Sequence, residues 1–331
     1  MNYLWVIICQ SIVGSSYPIV QEAMDSIPEF VFACITLGIA SLLLMPIASK
    51  LEHTKWTSLG KSNWVKLSVQ SLCVNVLYSV FLFFALTHAS ATVSGIFTGL
   101  APAVVFLIAP LMIKEKLTLK KGLSIAVAAA AAIIVSVSSE DGGTDIFGLI
   151  FLILSVLSVS VFTVLSKKFS VDLKPITAAA GICFTGFVIT IPFCVVQSVL
   201  SGFNYAQFFD GKIMLETIYY AVFVWAVAYV LWYLAIPKVS ATFGGIGLAI
   251  VPIASVVSSI AIFSNPIRTV DIIGLVLITM SIVLSVYAEK TTAQTTAKAK
   301  DDAILDTHVV LPSFAKEADM EMHLHIFLSL K

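Results

Sequence analysis

Residues 85–115 recur, in degraded form, at residues 235–265. An offset of 150 lays Ser90-Ala91-Thr92 on Ser240-Ala241-Thr242, Gly95 on Gly245, Ile96 on Ile246 and Pro102 on Pro252. Each copy lies in a long apolar stretch, so the fold must hold one kind of unit twice within a membrane. The flanking charges differ. Pro110 to Lys121 carries Lys114, Lys116, Lys120 and Lys121, whereas the equivalent Ile260 to Asp271 carries only Arg268. Lys and Arg favour the cytoplasmic side of a bilayer. The asymmetry therefore predicts two halves inserted in opposite orientations, the arrangement that lets a central site face each side in turn.

Composition agrees with a membrane class. Of 331 residues, 59% are hydrophobic and 11% charged, and the mean hydropathy is +1.02. A soluble domain carries about 25% charged residues. The net charge of zero argues against nucleic acid as a partner. Cys9, Cys34, Cys73, Cys183 and Cys194 all fall in apolar segments without a Cys-x-x-Cys pair, which points to small buried hydrophobes rather than disulfides or zinc ligands. His323-x-His325 lacks a third ligand. Gly244-Gly245-Ile246-Gly247 lacks the Lys-Ser/Thr ending of a phosphate loop and reads as close helix packing. Neither metal nor cofactor is expected.

Spans of about 20 apolar residues are predicted at 3–21, 28–48, 64–87, 91–113, 121–139, 146–166, 175–199, 213–236, 240–263 and 270–288. The first has no basic residue before it and reads as a membrane helix rather than a cleaved signal. Lys50, Lys55, Lys61, Lys167, Lys168, Lys174 and Lys238 occupy alternate loops; the intervening loops carry Glu22, Asp25, Glu140, Asp141 and Asp145, with only Lys212 and Arg268 as basic residues on that second side. Both termini are thus expected in the cytoplasm, which requires an even span count. Ten spans divide into five and five, and an odd number per half forces the second half to run inverted. The predicted fold is an all-α integral membrane protein, with halves at 1–139 and 140–288. A polar tail, 289–331, reads as cytoplasmic and largely disordered.

No Asp, Glu, Lys or Arg lies in the middle of a span. A carboxylate proton relay is therefore disfavoured, as is a multiply charged substrate. The polar residues instead form helical stripes. Gln10, Gly14 and Tyr17 share a face of span 1, with Gln21 beyond them. Ser68, Ser71, Asn75 and Tyr78 share one on span 3, and Ser94 and Thr98 one on span 4. Ser155, Ser158, Phe162 and Ser166 align on span 6; Trp225, Tyr229 and Trp232 align on span 8. The candidate substrate-binding set is Gln10, Gly14, Tyr17, Asn75, Tyr78, Ser94, Thr98, Phe162, Trp225, Tyr229 and Trp232. The same residues also suit hydrogen bonding between membrane helices. Pro102 and Pro252, related by the repeat, are candidate hinges.

Three motifs carry a family resemblance. Val13-Gly14-Ser15-Ser16-Tyr17-Pro18 opens the chain; Phe84-Ala85-Leu86-Thr87-His88-Ala89-Ser90-Ala91 ends span 3. Pro102 is followed by Lys114-Glu115-Lys116-Leu117-Thr118. In order and spacing these resemble the drug/metabolite transporter superfamily in its bacterial EamA-type, ten-helix form. Lys114 stands where that pattern has glycine, and Asn265-Pro266 stands where its second copy has glutamate. The resemblance implies a central cavity between the halves and export of amino acids or other small metabolites across the bacterial inner membrane. Clustered His, Asp, Glu or Cys, which an integral-membrane enzyme needs, are missing from either membrane face. The expectation is a non-enzymatic transporter of neutral or aromatic amino acids or related compounds, with a small-molecule substrate and the lipid bilayer as its partners. The alternative is a sensor or scaffold acting through the tail.

Overall fold

The computed structural model describes residues 2–88, 100–115, 118–136, 145–170, 172–263, 269, 272–274, 276–288 and 291. Ser94, Thr98, the first Ser-Ala-Thr copy, residues 264–268 and the tail from 292, with His323 and His325, lie outside the described residues. So do the side chains of Tyr17, Gln21 and Pro252.

Among the described residues every regular element is helical. In chain order they are α1 (Asn2–Ile19), α2 (Gln21–Ser26), α3 (Glu29–Leu51), α4 (Lys61–Ser71), α5 (Tyr78–His88), α6 (Ala101–Ile113), α7 (Leu119–Ser136), α8 (Ile146–Phe169), α9 (Pro175–Ser201), α10 (Gly211–Tyr219), α11 (Tyr229–Ala235), α12 (Ala241–Leu248) and α13 (Ile250–Phe263). Two π-helical segments interrupt otherwise continuous rods: Leu72–Leu77 joins α4 to α5, and Tyr220–Ala228 joins α10 to α11. Residues Met1–Ser285 form one compact unit. In the second, Thr291 Oγ1 donates to the Tyr287 carbonyl at 2.9 Å.

Five helical rods among the described residues are long and apolar enough to cross a bilayer: Glu29–Leu51, Lys61–Leu82, Ile146–Phe169, Pro175–Ser201 and Gly211–Lys238. Their outward residues are large and apolar: Leu42 is 77% exposed, Leu200 82% and Val199 76%. So much apolar surface is stable only against lipid.

Local chemistry sets the ends. Asp145 caps α8 by accepting from the Gly148 N–H at 2.9 Å, while Lys167 and Lys168 lie in its last turn, where cations complement the helix dipole. Asp210 and Ser240 cap α10 and α12 in the same way. Span 9 is not one helix, because the chain breaks at Ala249 between α12 and α13. Pro252, the third residue of α13, has no N–H to return to the Leu248 carbonyl. Pro102 likewise stands in the first turn of α6.

Among the described residues α3 packs most extensively on α9, and the pair is antiparallel. At one end Glu52, just past α3, accepts from the Ile176 and Thr177 N–H groups at 3.0 and 2.7 Å, capping α9. At the other, Gln197 Oε1, in the last turns of α9, accepts from the Phe30 N–H at 2.7 Å. Helix α1 lies against α13 so closely that a Cβ on Gly14 would stand 2.3 Å from the Val251 carbonyl oxygen.

Candidate functional site

Span 8 carries Trp225, Tyr229 and Trp232 on one face of a rod that widens into a π-helical turn. A π turn leaves backbone groups imperfectly stacked and recurs at functional positions. Its aromatic side chains form a continuous series. Trp225 meets Tyr229 edge-on at 5.3 Å between ring centroids, and Phe162 from α8 lies 6.4 Å from Tyr229 and stacks on Trp232 at 6.2 Å.

Each polar tip in this series is tied to another helix. The Trp225 indole donates to Thr36 Oγ1 on α3 at 2.9 Å. The Tyr229 hydroxyl donates to Asn75 Oδ1 at 3.3 Å. The Trp232 indole donates to Ser166 Oγ at 3.0 Å, and the neighbouring Tyr233 hydroxyl donates to Gln70 Oε1 at 2.9 Å. Asn75 in turn donates to Ser71 Oγ at 2.8 Å, and Ser71 donates to the Ile182 carbonyl of α9 at 3.2 Å. The result is an uncharged network of amides, hydroxyls and ring faces midway along membrane-length rods. A buried amide unpaired in lipid would be strongly destabilising, so the pairing explains how Asn75 is accommodated there.

Five of the sequence candidates, Asn75, Phe162, Trp225, Tyr229 and Trp232, thus come together. Trp225 is half-buried and the other four are buried. Tyr78, half-buried, begins α5 one turn beyond Asn75. Gln10 and Gly14 lie on the face of α1 that packs on α12 and α13: a Cβ on Gly247 would stand 3.3 Å from Gln10 Cγ. Helix α1 also packs against the π segment 220–228 and α11, which brings it beside the aromatic series. Thr36, Gln70, Gly186 and Tyr233 belong to the network but were not among the sequence candidates. Ser71 and Ser166 lay on recognised stripes. The signal for Thr36 and Gly186 is the repeat offset: 75 maps onto 225, and 36 onto 186.

Charge is kept to the ends. Lys66 pairs with Asp172 at 2.5 Å, and His88 Nδ1 lies 3.0 Å from Asp145 Oδ2. Glu115 accepts from Lys121 Nζ at 2.8 Å and from the Ala241 N–H at 2.9 Å, joining the α6–α7 turn to the start of α12. Burial alone would raise the Glu115 carboxyl; the hydrogen bond and charge of Lys121 and the Ala241 N–H outweigh it and hold the group below its ordinary value.

Comparison with known proteins follows the same lines. The EamA-like transporter family model matches residues 1–137 and 146–287. A Bacillus subtilis protein described as an uncharacterized transporter, YetK, is 27% identical over 292 residues, covering 87% of each chain. An uncharacterized transporter of Archaeoglobus fulgidus is 22% identical over 284 residues, covering 85% of this chain and 98% of its own. One crystal structure superposes with a TM-score of 0.70 at 15% identity, covering 87% of this chain and 97% of the other, and so shares the fold.

Proposed function

The chain belongs to the EamA-like transporter family and is a multi-pass membrane transporter of a small molecule, and from that premise we propose that it exports neutral or aromatic amino acids or related compounds by alternating access. The observation that carries this reading is the uncharged aromatic and amide network of Asn75, Phe162, Trp225, Tyr229 and Trp232, none of which takes part in an ion pair among the described residues. Ring faces and amides suit an aromatic solute without net charge. In this reading ten spans form two inverted five-helix halves, 1–139 and 140–288, in the bacterial inner membrane with both termini cytoplasmic. Two observations support the repeat, and the antiparallel run of its equivalent helices supports the inversion. The family match divides at about the same place. Helices α3 and α9, offset by 150, run antiparallel. The two π segments share that offset, since 72–77 falls on 222–227. Gln10, Tyr17, Tyr78, Ser94 and Thr98 complete the proposed substrate path, whereas Gly14 serves the close packing of α1 on α13. Lacking a mid-span carboxylate, the protein works by facilitated diffusion or exchange rather than through a carboxylate relay.

The test is flux into proteoliposomes from a labelled panel of neutral and aromatic amino acids, with and without a pH gradient, repeated with Trp225→Ala. Flux abolished by that substitution, in protein that still folds, supports the reading. Flux driven by the pH gradient overturns the absence of proton coupling. If no solute moves, the transport reading fails for this class, and loss of cellular function on deleting 289–331 would favour a sensor acting through its tail.

A further inference from the structure

We infer that Thr36 and Gly186, repeat-equivalent positions in α3 and α9, are the positioning residues that set substrate specificity, each placing the recognition side chain of the opposite half. The inference rests on the transport reading above and names the residues that tune its site.

Residue 75 lies in the first π segment and residue 225 in the second, 150 positions apart. Each reaches across to the other half. Trp225 donates its indole N–H to Thr36. Asn75 lies over Gly186: a Cβ there would stand 2.5 Å from Asn75 Nδ2 and 2.8 Å from Ser71 Oγ. Thr36 and Gly186 are themselves 150 apart, so one contact is the counterpart of the other. Their chemistry differs. Thr36, fully buried, donates its own hydroxyl proton to the Phe32 carbonyl at 2.7 Å, which leaves Oγ1 as an acceptor for the indole. The indole N–H is thereby occupied, and Trp225 offers a ring face rather than a donor. Gly186 supplies space in place of an acceptor. The Asn75 amide fills that space and still has one Nδ2 hydrogen beyond its bond to Ser71. One half thus contributes a fixed aromatic face and the other a fixed amide. The remaining amide N–H and the ring face together fit a planar aromatic solute bearing one hydrogen-bond acceptor.

The test is transport kinetics in proteoliposomes for whichever aromatic solute the wild-type protein moves. Thr36→Val keeps the volume and removes the acceptor; Thr36→Ser keeps it. Loss of a single hydrogen bond that orients the ring predicts a KM raised roughly tenfold for Thr36→Val at little-changed kcat, and Thr36→Ser close to wild type. Gly186→Ala displaces the amide from its buried partners, so it predicts a raised KM in the protein that folds, together with a lower melting temperature. A change confined to the amount of active protein, with KM unmoved in both variants, overturns the inference while leaving the transport reading intact. No wild-type flux overturns both.

Discussion

The hydroxyl of Tyr229 and the amide oxygen of Asn75 meet at 3.3 Å across 154 residues of sequence, both buried. Each is the other's polar partner in an environment where water is scarce. Removing one group strands the other, whereas removing both strands neither. Asn75→Ala is expected to destabilise by about 1–3 kcal/mol, and Asn75→Ala combined with Tyr229→Phe by less than Asn75→Ala alone. Thermal melts in one detergent measure this. A double variant that melts no higher than Asn75→Ala would exclude the coupling.

How much of this was legible follows from particular residues. The apolar stretches, the charge pattern of the loops and the stripe Trp225–Tyr229–Trp232 are periodic features, and periodicity survives in sequence. Thr36 and Gly186 are not periodic features. Their roles depend on α3 and α9 lying antiparallel and on a π turn rotating Trp225 toward one and Asn75 toward the other. An extra residue in a helical turn shifts every side chain beyond it by about 100°, and composition gives no sign of it. The break at Ala249 was half-legible, since Pro252 announced a disturbed helix but not where it would part.

Gly14 separates a packing role from a binding role. Its missing Cβ is what lets α1 approach the Val251 carbonyl, a backbone atom that cannot rotate away. Gly14→Ala should destabilise by about 1–3 kcal/mol through overpacking. The amount of folded protein would fall, and KM for any transported solute would stay unchanged. A raised KM at wild-type melting temperature would instead place Gly14 in the substrate path.

Lys114 occupies a left-handed conformation, φ 55°, at the C-terminal end of α6, where the family pattern has glycine. For a residue with a Cβ that conformation is unfavourable by roughly 1–2 kcal/mol, and the greater freedom of an unfolded glycine offsets roughly 0.4–1 kcal/mol of the relief. The Lys114 side chain is exposed, so little packing is lost on removing it. Lys114→Gly should therefore raise the melting temperature slightly with flux unaltered. A lower melting temperature would mean that the lysine makes a stabilising contact outweighing its strained backbone.

The Glu115–Lys121 pair yields a pH dependence of definite sign. Its side chains are 11% and 7% exposed, so neither charge can turn to water for its partner. Burial works against the Glu115 carboxylate, but Lys121 and the Ala241 N–H hold its pKa below the ordinary value, roughly 4.3 in an unfolded chain. A depressed folded-state pKa contributes stability that is present above the unfolded value and lost as pH falls through the folded one. Wild-type protein should therefore lose part of its stability on acidification below about pH 4. Lys121→Met leaves the buried carboxylate unpaired and should be destabilised by about 3–5 kcal/mol at pH 7. Protonation then removes the unpaired charge, so the gap to wild type should narrow as pH falls. The pair Glu115→Gln with Lys121→Met has no charge to lose there, and its melting temperature should depend least on pH across the same range. Parallel melting curves for wild type and Lys121→Met from pH 7 to pH 4 would show that the pair does not join the α6–α7 turn to α12 in the way its geometry indicates.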